Sequence, residues 1–354
     1  MVRSKLSIII PTYNEAENIR KLIPAICESL SNHNFEIIVV DDNSPDGTAE
    51  IVKKLKDKYN NIKILKRPRK LGLASAVVDG LKLAEGDVIA VMDADFQHPP
   101  DFLPKMLEKI KEGYDLVIAS RYVKGGSNRT NLIRKIISKG AVISAKILLP
   151  KCRGIEDPVS GFFMVKRDKL PESFTPLGFK ILLEIIEKGK WRSVYEIPYE
   201  FKARKKGKSK LNLKEIMLYI KLLLKLSNYR ILKFALVGLS GVIVNMGLLY
   251  FLVEKGLNIA TAGLVAIESS ILSNFLLNDL WTFKDRGDGS FLSRCFRYHL
   301  SVAFGGLVNY IVLLGLTMIG ISYLFANLIG ITLGFVANYL GGEYVVWRKT
   351  KSTF

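Results

Sequence analysis

The chain has 354 residues and a formal net charge of +19, a length that accommodates two or three domains. Residues 1–228 hold 42 Lys and Arg against 27 Asp and Glu, whereas residues 229–354 hold 10 against 6, so most of the excess charge lies in the first part. The chain has three widely separated cysteines, which argues against a disulfide framework or a cysteine-based metal site. The positive charge is compatible with binding to nucleic acid, anionic lipid or phosphorylated substrates, and charge alone does not distinguish these partners.

Strand and helix patterns alternate through the first 120 residues. Short apolar runs predict strands at 6–10, 35–42, 62–65, 87–95 and 115–120. Helical spacing of apolar residues predicts helices at 16–30, 48–58, 73–84 and 104–112. The alternation indicates βαβ units and an α/β fold with a mostly parallel sheet, covered on both faces because its strands are continuously apolar. Ligands of such folds bind at the carboxyl ends of the strands.

Two further segments combine an apolar face with interspersed lysines. They cover residues 131–149 and 211–226. This pattern predicts helices that lie in the membrane interface, and ordinary amphipathic core helices are the alternative.

Four mostly apolar segments follow, and each is close to the ~20 residues that span a bilayer. They predict an all-α domain of residues 229–354 with transmembrane helices at about 231–253, 259–279, 298–320 and 322–346. Four buried helices of a soluble protein are the alternative. Basic residues are concentrated in the loop before the third span and in the tail: Lys284, Arg286, Arg294, Arg297, Arg348, Lys349 and Lys351. Their placement predicts a multi-pass protein of the cell membrane whose first domain and both termini are cytoplasmic.

The stretch VMDADFQHPP places Asp93 and Asp95 just past a buried strand. Two neighbouring carboxylates at such a position need a cation or hydrogen-bond donors. A divalent ion that bridges a diphosphate takes one or two hard oxygen ligands, which Asp95 and Gln97 could supply while Asp93 holds a sugar or ribose hydroxyl. A helix cap and turn before the two prolines is the alternative. We expect His98 to be a packed or capping residue, because no second histidine is near in sequence.

Two more polar clusters follow strand ends, in PTYNE (11–15) and DDNSPDG (41–47). Pro11 would fix the backbone, Tyr13 could stack on a base, and Glu15 could accept a hydrogen bond from a ribose or base. Asp42 could read a base edge, whereas Asp46 is interpreted as turn chemistry. Three polar clusters at three strand ends together predict a nucleotide site.

In combination these motifs resemble the family-2 glycosyltransferases. IIIPTYNE, VVDDNSPDGT, KLGLASAVVDGL, GDVIAVMDADFQHPP, SRYVKGG, EDPVSGFF and RKKGKSKL recur in the same order as in dolichyl-phosphate mannosyltransferases. The resemblance covers about residues 5–225 and implies that residues 1–228 are a catalytic, nucleotide-sugar-binding domain. Residues 229–354 look like the small four-helix membrane domain attached to many members.

The resemblance implies a role for each matching residue. The nucleoside would be held by Pro11, Tyr13, Glu15, Val40 and Asp42. Sugar, diphosphate and metal would be held by Asp93, Ala94, Asp95 and Gln97, with Mg²⁺ or Mn²⁺ on Asp95 and Gln97. Arg121 would face the phosphates, Arg134 and Ser138 would hold the acceptor phosphate, and a basic loop would clamp the donor diphosphate through Arg204, Lys206, Ser209 and Lys210. Asp95, Arg121 and Asp157 are the predicted catalytic residues.

The implied reaction transfers mannose from GDP-mannose to dolichyl phosphate with inversion. An ionised acceptor phosphate needs no obligatory general base. Asp157 lies where hydroxyl-using relatives keep their base, and we interpret it as orienting the sugar or a cation, or as structural. On this interpretation Asp157→Asn keeps substantial turnover and Asp95→Asn nearly abolishes it.

Other functions fit the sequence less well. Within the same chemistry, the alternative is transfer from UDP-glucose or another nucleotide hexose to a polyprenyl phosphate. A lipid-linked-sugar transporter would not explain the metal-ligand set. A processive polysaccharide synthase would carry a Q-x-x-R-W motif, which is absent because Gln97 is the only glutamine. Nucleic-acid binding would not explain strand-end aspartates or four spans. The predicted partners are therefore a nucleotide sugar, a polyprenyl phosphate lipid and the bilayer, with no obligatory protein partner.

Overall fold

The computed structural model describes residues 5–130, 132–201, 213–286 and 289–348. The chain divides into two compact units, Met1–Leu226 and Ser227–Phe354. The first unit is an α/β domain, and the described part of the second unit is helical.

A seven-stranded sheet forms the centre of the first unit. Its strands, together with a separate short pair, are β1 (Leu6–Thr12), β2 (Phe35–Asp41), β3 (Ile62–Lys66), β4 (Val88–Val91), β5 (Leu116–Ser120), β6 (Ser127–Asn128), β7 (Phe163–Lys166), β8 (Val194–Pro198) and β9 (Glu200–Phe201). The sheet order is β3-β2-β1-β4-β7-β5-β8, and β6 pairs in parallel with β9. Within the described sheet only β7 runs antiparallel to its neighbours, so the predicted mostly parallel sheet is confirmed.

Helices cover both faces of this sheet. They are α1 (Ala16–Ser29), α2 (Thr48–Lys58), α3 (Leu73–Leu83), α4 (Phe102–Lys111), α5 (Leu132–Leu148), α6 (Ile181–Lys188) and α7 (Leu213–Leu226). Because side chains alternate along a strand, Ile8 of β1 packs into the core on the α1 side while Ile9 packs into the core with α3. Both residues are fully buried, and burying one such side chain contributes about 1.5–3 kcal/mol.

Helices α5 and α7 expose apolar side chains. Leu132, Ile133 and Ile136 of α5 are 72%, 69% and 64% exposed, and Met217 of α7 is 62% exposed. The Tyr219 hydroxyl of α7 donates to the Ala141 carbonyl of α5 at 2.6 Å, so the two helices are in contact. This exposure favours interfacial helices over the core-helix alternative. The predicted first residues of both segments, 131 and 211–212, lie outside the described part of the chain.

The described residues of the second unit include four helices that are long and apolar enough to cross a membrane. They are α8 (Arg230–Glu254), α9 (Ile259–Leu277), α10 (Phe291–Met318) and α11 (Tyr323–Gly341), and α9 and α11 continue into π-helical turns at Asn278–Thr282 and Gly342–Val346. Many large apolar side chains of this unit are exposed, for example Leu300 and Phe304, as expected of surfaces that face lipid.

Helix α10 extends beyond the predicted third span. It begins at Phe291, seven residues before residue 298, and includes Arg294 and Arg297. The side chain of Ser290 accepts a hydrogen bond from the Ser293 amide, which caps the helix at its first turn. Hydropathy locates the apolar part of a helix, and the cap determines where the helix itself begins.

Candidate functional site

Three polar clusters lie together at one edge of the sheet. Strand β1 lies between β2 and β4, and all three run parallel, so their carboxyl ends are adjacent. The Asp42 amide donates to the Thr12 carbonyl at 3.0 Å, and the Met92 amide donates to the Ile9 carbonyl at 3.3 Å. The structure thus brings together the clusters around Tyr13, Asp42 and Asp93 that the sequence predicts to form a site.

Asp42 is held by groups from the loop after β3. It is 5% exposed and forms an ion pair with the buried Arg67. The Gly72 amide also donates to Asp42 Oδ2 at 3.0 Å. Arg67 in turn donates to the Gly72 carbonyl and the Ser75 hydroxyl, both at 2.8 Å. Arg67 was missed by the sequence reasoning, and the only signal for it is its place in the basic RPRK run just past β3.

The other residues predicted to hold the nucleoside lie on β1 and β2 or just past the end of β1. Tyr13 is partly exposed, and Lys70 Nζ lies 4.0 Å from its ring centroid. Pro11 and Val40 are register partners on β1 and β2, and both are buried. Glu15 accepts a hydrogen bond from Asn18 at 2.7 Å, and its amide donates to the Thr48 hydroxyl at 3.1 Å.

His98 fixes the backbone of the aspartate motif. Its Nδ1 accepts a hydrogen bond from the Asp93 amide at 2.8 Å, and its ring stacks on Phe162 with centroids 5.0 Å apart. Burial lowers the pKa of His98, although the charges of Asp93 and Asp95 oppose this. The neutral ring therefore keeps Nδ1 as an acceptor. His98 is a packed residue, as the sequence predicts.

A tight turn brings Asp95 and Gln97 together. Phe96 has a φ of +58°, an uncommon value for a residue with a side chain, and the Gln97 amide donates to Asp95 Oδ1 at 3.1 Å. Asp93 is partly exposed, while Ala94 and Gln97 are buried. The carboxylate of Asp95 and the amide of Gln97 supply hard oxygen ligands of the kind that Mg²⁺ and Mn²⁺ prefer. Within the described ranges no group of three or more His, Cys, Asp or Glu residues could hold a metal, so such an ion would need ligand oxygens from outside this set.

Arg121 and Asp157 form a closed ion pair. Arg121 Nε and Nη2 donate to the two oxygens of Asp157 at 2.7 and 2.8 Å, and the Arg121 amide donates to Asp157 Oδ2 at 3.1 Å. Burial opposes the charge of Arg121, but the Asp157 carboxylate outweighs it and raises the pKa of the guanidinium above its usual value. Asp157 itself is fully buried, and its amide donates to Glu196 at 2.9 Å. Its carboxylate is therefore engaged by a cation and directed away from solvent.

Lys180 is a cation of the site that the sequence reasoning missed. Its Nζ donates to the Val159 carbonyl at 2.6 Å, in the loop that contains Asp157. Burial, followed by the charge of Arg121, lowers the pKa of Lys180 to about 8, against the opposing charges of Asp157 and Asp93. The signal for it in the sequence is a single lysine at the start of the apolar run KILLEII (180–186).

The predicted acceptor residues lie on α5. Arg134 and Ser138 are four residues apart and therefore on one face of this helix. The Tyr122 hydroxyl donates to the Ser138 hydroxyl at 2.7 Å, which ties α5 to the loop that carries Arg121. The predicted clamp residues Arg204, Lys206, Ser209 and Lys210 lie outside the described part of the chain.

Comparison with known proteins gives matches over both units. Residues 7–174 match the family model "Glycosyl transferase family 2", and residues 233–352 match "GtrA/DPMS, transmembrane domain". A dolichol-phosphate mannosyltransferase from Pyrococcus furiosus is 47% identical over 350 residues, which cover 97% of this chain and 99% of that protein.

Two more distant proteins are also similar. A dolichol-phosphate mannosyltransferase from Saccharomyces cerevisiae is 34% identical, with 70% of this chain and 95% of that protein covered. The crystal structure of glucosyl-3-phosphoglycerate synthase from Mycobacterium tuberculosis, in complex with phosphoglyceric acid, is 21% identical with a TM-score of 0.47, and the match covers 64% of this chain and 80% of that chain.

Proposed function

The chain belongs to the dolichol-phosphate mannosyltransferases of glycosyl transferase family 2, and from this membership we propose that it transfers mannose from GDP-mannose to dolichyl phosphate. It is a glycosyltransferase with a multi-pass membrane domain. The observation that carries the donor assignment is the convergence of three polar clusters at the carboxyl ends of β1, β2 and β4.

In this proposal the donor lies along that edge. The guanosine lies over Tyr13 and beside Asp42, with Pro11, Glu15 and Val40 completing its pocket. Asp93 and Ala94 hold the sugar end, and a Mg²⁺ or Mn²⁺ ion is held by Asp95 and Gln97. When bound, this ion offsets the negative charge that develops on the departing diphosphate. The turn at Phe96 supports the ion site, since it keeps Gln97 close enough for its backbone amide to donate to the Asp95 carboxylate.

The transfer step requires no protein base. An acceptor phosphate oxygen attacks the anomeric carbon, the bond from that carbon to the diphosphate oxygen breaks, and the electron pair leaves with GDP. The phosphate is ionised at neutral pH, so no proton has to be removed, and attack from the opposite face inverts the anomeric carbon. The Arg121–Asp157 pair supports this mechanism, because Asp157 is buried and already bound to a cation.

The acceptor phosphate is proposed to bind at Arg134 and Ser138. The exposed apolar face of α5 supports this assignment, since a helix of this kind can lie where a lipid phosphate meets water. Arg204, Lys206, Ser209 and Lys210 complete the proposal as a clamp on the donor diphosphate. The catalytic unit and both termini are proposed to be cytoplasmic, in line with basic residues such as Lys284 and Arg286 before α10.

The experiment is sugar transfer by the purified chain to dolichyl phosphate with Mg²⁺ or Mn²⁺. GDP-mannose, UDP-glucose and UDP-N-acetylglucosamine are offered separately. Asp95→Asn removes the proposed ion ligand, and Asp101→Asn is the matched control because Asp101 is an exposed aspartate six residues away. The proposal is supported if the wild type and Asp101→Asn form mannolipid from GDP-mannose alone and Asp95→Asn forms none. Formation of glucolipid would refute the assignment of GDP-mannose as the donor. Equal activity of Asp95→Asn and Asp101→Asn would refute the assignment of Asp95 as an ion ligand.

A further inference from the structure

Helix α7 has one exposed apolar face. Leu213, Met217 and Ile220 are 76%, 62% and 47% exposed. They are spaced i, i+4 and i+7, so they form one row along the helix. Leu222 and Leu223 point away from this row and pack into the core of the first unit. The core is therefore complete without the apolar row, which is left for another partner.

Helix α5 has the same arrangement. Leu132, Ile136 and Ile143 are 72%, 64% and 57% exposed and lie within about 40° of one another around the helix. Val142 and Ala145 are buried on another side and pack into the same core as α7. The two helices thus present two exposed apolar rows from one domain.

Exposed lysines run along the edge of each apolar row. On α7 they are Lys214, Lys221 and Lys225, which at 100° per residue lie about 90° from the apolar row. On α5 they are Lys135 and Lys139, about 60° from the apolar row of that helix. We call these five residues the lysine rows. A lysine beside an apolar face can keep its stem in apolar surroundings and its ammonium in the polar layer.

The chain does not supply a counter-charge for the lysine rows. Over the described helices α5 and α7 there is one acidic residue, Glu215. Lys146, another lysine of α5, is paired with Glu156 at 2.9 Å, but no lysine of the two rows forms an ion pair with a carboxylate of the described ranges. The residues outside those ranges contain a single acidic side chain, Asp288. The anions that meet the lysine rows therefore come from another molecule.

The apolar and lysine rows together indicate which molecule this is. A bilayer that contains anionic lipids offers an apolar interior and, directly above it, a layer of negative headgroups. Nucleic acid or an acidic peptide would meet the charge but leave the apolar rows in water. Helix α7 is also separated by only three residues from α8, and basic clusters next to a membrane span in sequence are typical of binding to anionic lipid.

We propose that the lysine rows bind the headgroups of anionic phospholipids, so that α5 and α7 lie on a bilayer surface that is locally enriched in these lipids. The acceptor phosphate is a different ligand. Its proposed residues Arg134 and Ser138 lie about 100° further round α5 than Lys135 and Lys139. The inference goes beyond the proposed function and does not depend on it, because headgroup binding is the same whichever sugar is transferred.

Charge-removing variants test each row. Lys214→Gln, Lys221→Gln and Lys225→Gln, combined in one chain, remove the row of α7 and leave polar side chains at exposed positions. Lys135→Gln with Lys139→Gln removes the row of α5 in the same way. The matched control takes three exposed charges from α2, by Lys53→Gln, Lys54→Gln and Lys56→Gln. Because the α7 variant and the control lower the net charge equally, a difference between them reports the location of the charges.

The measurement is photolabelling of the full chain in phosphatidylcholine nanodiscs. They contain a photoactivatable phosphatidylglycerol or, separately, the same amount of a phosphatidylcholine with the same photoactivatable chain. Pepsin digestion and mass spectrometry then give the labelling of α5 and α7 relative to that of α10. One basic residue near an anionic surface favours binding about fivefold, so we expect phosphatidylglycerol to label both helices about fivefold more than phosphatidylcholine.

Each row variant should bring this ratio below about twofold on its own helix, and the α2 control should keep it. An ionic strength of about 1 M, which screens charges beyond about 3 Å, should lower the ratio in the wild type. Equal labelling by the two probes in the wild type would overturn the inference, as would a ratio that survives in the row variants or falls equally in the α2 control. Added dolichyl phosphate that displaces phosphatidylglycerol from both helices would assign the lysine rows to the acceptor and also overturn it. Mannolipid formation is not part of this readout, so a failure of the proposed function would leave the result unaffected.

Discussion

The closed pair of Arg121 and Asp157 allows a direct test for a general base. Asp157→Asn keeps the shape of the side chain and one acceptor oxygen, but it removes the charge and turns one end of the group toward the guanidinium as a donor. Removing one member of a buried ion pair costs about 3–5 kcal/mol. Because Asn retains one acceptor oxygen, we expect the free energy of unfolding to fall by only about 2–3 kcal/mol, which is close to the contribution of one charge-assisted hydrogen bond.

That loss corresponds to a fall in melting temperature of roughly 4–12 °C for a unit of this size. Turnover should fall by less than about tenfold at temperatures where the variant is folded, because Arg121 keeps its charge and part of its anchorage. Loss of a true general base costs a factor of about 10²–10⁴ and removes the acid limb of the pH–rate profile. The assay is therefore mannolipid formation against pH, alongside thermal unfolding.

Arg121→Gln and the double variant complete a double-mutant cycle with Asp157→Asn. If the two side chains act as one pair, the double variant should be only slightly less stable and less active than Arg121→Gln, because that single change already removes the interaction. A hundredfold loss of turnover in Asp157→Asn, with an unchanged melting temperature and no acid limb, would refute the mechanism without a base.

Three further predictions follow from single contacts. Lys180→Met should raise the melting temperature at pH 7. The free energy of unfolding of the wild type should rise between about pH 8 and 10.5, because the lysine loses its proton at lower pH in the folded chain than in the unfolded one. Unfolding curves that do not change across this pH window would contradict the prediction. His98→Phe should keep the stacking on Phe162 but leave the Asp93 amide without its hydrogen-bond acceptor. We expect the free energy of unfolding to fall by about 1–3 kcal/mol and the KM for the donor to rise. An unchanged KM would show that the His98 ring does not position the aspartate motif. Gly305→Ala should lower the melting temperature because the added Cβ overlaps the Asn338 side chain, whereas the Cβ added by Gly315→Ala meets no neighbouring atom. Equal melting temperatures of the two variants would contradict the close contact between Gly305 and Asn338.

The strand-end clusters could be predicted from the sequence because each is a local pattern. A buried apolar run followed by Pro11, by Asp42 or by Asp93 shows both the strand and where it ends. Parallel pairing then places those ends side by side, which the structure bears out.

Arg67 and Lys180 could not be found in this way. Arg67 acquires its role from an ion pair with Asp42 across 25 positions, and Lys180 acquires its role from a carbonyl at Val159. Their local signals, the RPRK run and the apolar run that begins at Lys180, do not single them out among the many cations of so basic a chain. The antiparallel strand β7 was not predicted for a similar reason, since its pairing with β4 and β5 is a long-range event.

The position of β7 also sets an order of assembly. Strands β1 to β4 can pair once the first 91 residues are available, so the polar clusters that follow β1 and β2 can come together early in synthesis. Strands β4 and β5 are not neighbours, because the later residues Phe163–Lys166 must pair between them. Until that pairing occurs, Arg121 lacks Asp157 and His98 lacks Phe162. Asp157 and Phe162 come just before β7 in the chain, so the Arg121–Asp157 ion pair and the His98–Phe162 stack are the contacts of this edge that form last during synthesis.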